Sequence, residues 1–88
     1  MGMFLISPIS HPEILGPTIK SEFPGDSYPL PKSNNWLVHF SGTARELSDK
    51  LGISKGEAGS AVVVSVANYY GRAPTEIWEW IKSRMERD

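Results

Sequence analysis

The sequence predicts a single α+β domain. Three observations carry that prediction. The chain has only 88 residues, which is one domain's worth. Short runs rich in branched and aromatic residues read as strands. Between them lie segments with the capping residues and the spacing of helices.

Met3-Phe4-Leu5-Ile6 is a short apolar run that ends before Pro8, so it reads as a buried first strand. Ser10 and Glu13 stand three apart, as in a capping box, and predict a helix start. Leu15, Ile19 and Phe23 follow four apart on one face. Gly16-Pro17 interrupts them, because proline removes a backbone donor and crowds the preceding turn. The helix is therefore expected either to kink or to begin near Pro17. Tyr28-Pro29-Leu30 is confined to a sheet edge by Pro29 and Pro31, which cannot donate to a ladder.

Trp36 to Phe40 is a strong strand. Thr43-Ala44-Arg45-Glu46 is a second capping box, Leu47 and Leu51 share one helix face, and Gly52 suits the left-handed position that closes a helix. Ala61 to Tyr70 is the longest strand candidate, with Val62, Val64 and Val66 on one side and Ala61, Val63, Ser65, Ala67 and Tyr69 on the other. Pro74 fits the first turn of a last helix. There Ile77, Trp78, Ile81 and Met85 make an apolar stripe with Trp80 at its border. The order β-α-β-β-α-β-α contains two β-α-β halves. Such halves build a four-stranded antiparallel sheet with helices on one face, the ferredoxin-like βαββαβ arrangement, here with an added C-terminal helix.

Composition narrows the chemistry. The formal net charge is −1, and there is no cysteine. Bulk electrostatics therefore does not point to nucleic acid. Disulfides, thiolate zinc sites and cysteine nucleophiles are excluded. The N-terminal run lacks a basic leader, and Ala61–Val64 is far too short to span a bilayer, which needs about 20 apolar residues. A cytoplasmic protein with no membrane association is expected.

From Trp36 onward the chain resembles a family of small bacterial proteins labelled SinR-like, which are similar in fold to the CRISPR-associated Cas2 proteins. The residues that carry the resemblance are Trp36-Leu37-Val38 leading into Thr43–Leu51, then Ala61–Val66 and Trp78–Ile81. The resemblance implies helices packed on a sheet and a tendency to dimerise. Cas2-like nucleases place an aspartate just after the first strand, where two copies share a metal. Here that region reads Ile6-Ser7-Pro8-Ile9-Ser10, so the nuclease activity does not transfer.

No metal or cofactor is expected. His11 and His39 are the only histidines, without paired ligand spacing. Gly56-Glu57-Ala58-Gly59-Ser60 lacks the Lys-Ser/Thr ending of a phosphate loop and reads as a connection into a strand. Thr43–Val62 would be a helix-turn-helix only if the glycine- and valine-rich second half were helical, which its composition opposes. Four binding candidates remain. His39 is a candidate because histidine as a residue type can bind ligands or sense pH. Tyr69, Tyr70 and Arg72 could stack bases or grip a phosphate. The blander reading makes Tyr70 a core residue and Arg72 a solvated strand end.

The expected sheet is apolar on both faces, yet helices in this fold cover only one. Ala61, Val63, Ser65 and Ala67 are therefore expected on a bare apolar face that pairs with a second copy. The alternative is that the last helix folds over that face. The function expected is a non-enzymatic homodimeric module that binds a protein partner or regulates one. The alternative is a Cas2-like nucleic-acid binder or metal-dependent nuclease, disfavoured by the absence of an aspartate after the first strand. A third reading is a sensor with a small ligand held between sheet and helices.

Overall fold

In the computed structural model, which describes residues 2–85, four antiparallel strands and three helices alternate along the chain. They are β1 (Gly2–Pro8), α1 (Pro12–Glu22), β2 (Ser27–Pro29), β3 (Trp36–Phe40), α2 (Ala44–Lys50), β4 (Ala61–Val66) and α3 (Thr75–Met85). The sheet runs β2-β3-β1-β4, so β1 is central and β4 is an edge. In the register, Phe4 lies opposite Val38 and Ser65, and Ile6 lies opposite Trp36 and Val63.

That register sorts every side chain by face. Phe4, Ile6 and Val38 join Leu15 and Ile19 of α1 and Leu47 of α2 in one core. Met3 and Leu37 leave from the opposite face and meet Ile77 and Ile81 of α3 in a second core. The central strand therefore has no polar face, as a strand covered on both sides requires. The last helix covers the sheet face opposite α1 and α2, as the alternative reading of the sequence had it, which corrects the premise of a bare face for sheet-on-sheet pairing.

The second capping box forms as the sequence predicts. The Thr43 hydroxyl accepts from the Glu46 amide at 3.1 Å, and the Glu46 carboxylate accepts from the Thr43 amide at 2.9 Å. At the other end of α2, Gly52 adopts φ +77°. The Ile53 amide donates to Ser48 O at 3.0 Å and the Gly52 amide to Asp49 O at 3.2 Å, a Schellman closure.

Helix α1 differs from expectation. It starts at Pro12 and continues through Pro17 rather than beginning there. Gly16 carries no Cβ, which relieves the clash that a proline imposes on the residue before it. Ser10 does not cap it. Its hydroxyl instead accepts from the Ser60 amide at 2.9 Å, and the Ser60 carbonyl accepts from Ile9 and Ser10 at 2.7 and 3.1 Å. The N-cap is His11, left-handed at φ 51° and without a side-chain cap bond. A contact fifty residues distant has outcompeted the local one. The strand expected to reach Tyr70 ends at Val66, which pairs with Met3 near the start of β1. Beyond it little partner strand is left.

Candidate functional site

Two surfaces stand out, a cleft beneath α3 and the free edge of β4. The cleft is built by the second core. Met3 and Leu5 of β1, Leu37 of β3 and Val66 of β4 form its floor, and Ile77, Trp78 and Ile81 of α3 form its roof. The segment between β4 and α3 closes one side with Asn68, Tyr69, Tyr70 and Ala73. The cleft is open on one side and holds about 390 Å³. Interiors normally hold few voids larger than a water. Water enters from the open side but finds few partners there. Among the described lining residues, only Asn68, Tyr69, Tyr70 and Trp78 carry side-chain N or O atoms.

A second hollow of about 330 Å³ adjoins the first and shares Tyr69, Tyr70 and Trp78 with it, adding Gly71 and Lys82. Tyr69 and Trp78 stack with ring centroids 5.8 Å apart and planes 18° off parallel. Tyr70 is 101% exposed, which corrects the reading of it as a core residue. Two of the four binding candidates, Tyr69 and Tyr70, thus come together at the mouth of the cleft. Arg72 is exposed and lines neither hollow. His39 is buried, at 3% exposure, on the same side of the sheet as Met3 and Leu37 but outside the cleft lining. Its amide donates to Asp26 O at 2.9 Å.

The sequence reading missed Trp78 and Lys82 as site residues. They stand four apart on α3, one above the other. That spacing was legible, but it marks a core stripe equally well until Tyr69 is placed beside it. Arg84 was missed too. It lies 4.3 Å above the Trp80 ring, donates to Gly25 O, and sits 3.5 Å from the Asp26 carboxylate. It therefore fastens α3 to the turn before β2, with Trp80 tilted against Tyr28 at 5.5 Å.

The free edge is the second surface. Val62 and Val64 point to the α3 side at 48% and 45% exposure. Ala61 and Val63 pack against the α1 and α2 core, Ser65 points to the same side, and Ala67 lies past the strand end. These four residues therefore do not form the bare face expected of them. The alternation was read correctly, but with apolar residues on both sides nothing marked which set met the helices.

Among the described residues, no three His, Asp or Glu side chains gather to hold a metal ion. No described helix is long and apolar enough to cross a membrane. No family model matches the chain, and neither a curated protein nor a solved structure matches it.

Proposed function

We propose that this chain is a non-enzymatic interaction module that works as a homodimer, paired through β4. The fold proposed is the ferredoxin-like arrangement with an extra helix, similar to the SinR-like and Cas2-like proteins, since β2-β3-β1-β4 with two helices on one face is that arrangement's strand order. A cytoplasmic location belongs to the same proposal, supported by the cysteine-free composition.

The observation that carries the reading is the contrast between the two sheet edges. Strand β2 has three residues, one of them Pro29, a usual protection against edge-to-edge pairing. Strand β4 has six residues, and from Ser60 to Gly71 there is neither a charge nor a proline. Such an edge is a template for another strand. A second copy meeting it antiparallel about a two-fold axis joins two sheets into one and gathers Val62 and Val64 of both copies.

Sedimentation velocity across the micromolar range tests this. Wild type is expected to shift from monomer to dimer. Val64→Lys is expected to stay monomeric with unchanged circular dichroism. A wild type that stays monomeric at high micromolar concentration removes the proposal.

The nucleic-acid reading keeps one supporting observation, the exposed Tyr70 beside the Tyr69–Trp78 stack and Lys82. A gel shift with single-stranded RNA and DNA at low salt decides it, and no shift ends it.

A further inference from the structure

We propose that the cleft beneath α3 binds a small aromatic carboxylate. This is independent of pairing through β4, and three features carry it.

The first is shape. An open apolar cleft of about 390 Å³ falls at the small end of ligand pockets, which are mostly apolar with a few placed polar groups. The second is the aromatic shelf. Tyr69 and Trp78 present a stacked pair at the mouth, and a planar group prefers offset stacking on such a surface. Tyr70, fully exposed at the junction of both hollows, is placed to close over an occupant.

The third is charge. Lys82, one helical turn after Trp78, is the sole charged side chain lining either hollow among the described residues. Arg84 is already engaged by Trp80, Gly25 and Asp26. One ammonium group beside an apolar hollow complements one negative charge carried on an apolar body. A phosphate would call for more donors than a single lysine supplies. The ring of the ligand therefore enters the cleft, and its carboxylate stays at the mouth against Lys82.

The test uses three probes of one shape, naphthoate, naphthylmethanol and naphthylmethylamine, titrated into the full chain at low salt and followed by amide chemical shifts. Naphthoate is expected to bind roughly fivefold tighter than the neutral alcohol, and the amine weakest, the gain expected of one partly exposed ion pair. Lys82→Glu changes an exposed residue and is expected to reverse that order. Ala73→Phe fills the cleft and is expected to abolish binding of all three, with circular dichroism confirming the fold.

No binding of naphthoate to wild type overturns the proposal. So does equal affinity for the three probes, or an order that Lys82→Glu leaves unchanged. Displacement of naphthoate by a single-stranded oligonucleotide whose own binding survives Ala73→Phe would assign the aromatic shelf to nucleic acid instead.

Discussion

Replacing Gly59 by alanine should destabilise the protein far more than replacing Gly56, although both are left-handed. Gly59 has φ +88° and Gly56 has φ +76°, so each alanine incurs a backbone cost of roughly 1 kcal/mol. Around Gly56 nothing lies within 4 Å of the added Cβ. At Gly59 the Cβ would stand 2.7 Å from the Ser10 carbonyl oxygen and 3.1 Å from the His11 Cβ. Backbone must move, and the backbone in question holds Ser10 and Ser60 together. Three hydrogen bonds join these loops, Ser60 N to Ser10 Oγ and Ile9 N and Ser10 N to Ser60 O. At about 1 kcal/mol net for each, losing two of them brings Gly59→Ala to about 3 kcal/mol. Urea unfolding followed by circular dichroism measures both variants. With a slope near 1 kcal/mol per molar, the midpoint should fall by about 3 M for Gly59→Ala and about 1 M for Gly56→Ala. Equal losses would refute the reasoning, since the clasp between the β1–α1 and α2–β4 loops would then contribute nothing.

Thr43→Ala removes one half of the capping box on α2 and should cost about 1 kcal/mol in the same assay, while Thr43→Ser should recover most of it. Leu47→Ala in the filled core against α1 and α2 should cost about 3 to 4 kcal/mol, and Ile81→Ala nearer 2 kcal/mol, because Ile81 already borders the cleft and loses fewer neighbours; equal costs would argue against the cleft. The Glu13 carboxyl should titrate below the ordinary glutamate range, held down first by a backbone hydrogen bond and then by the His11 ring 3.2 Å away. Its folded pKa is depressed, so its contribution is present above the unfolded pKa and lost as pH falls through the folded one. Carboxyl NMR should show His11→Ala moving the midpoint only part of the way back.

Local chemistry made much of the fold legible. Trp36–Phe40 is a strand with the bounds its residues suggest, and Thr43, Glu46 and Gly52 cap α2 at both ends, because each signal acts within a turn of its own residue. What escaped was set by distant partners. Ser10 carries a good capping residue's side chain, but Ser60 claims it. The valines of β4 look alike from both sides, so only the register with β1 tells which set meets α1 and α2. The position of α3 depends on which sheet face remains to be covered, and no property of Ile77 or Ile81 alone states that. Tyr69 and Tyr70 were visible as an aromatic pair beside a basic residue. The cation that joins them is Lys82 rather than the adjacent Arg72, a pairing that exists only once the chain has turned back on itself.

Amide hydrogen exchange across Ala61–Val66, taken at low and high protein concentration, tests the pairing through β4 most directly. Alternate amides of this strand bond to β1 and should exchange slowly at every concentration, while those in between should be fast when dilute and become slow as copies pair. Amides that keep the same fast exchange from low to high concentration would contradict the account, because the edge would then have met no second strand.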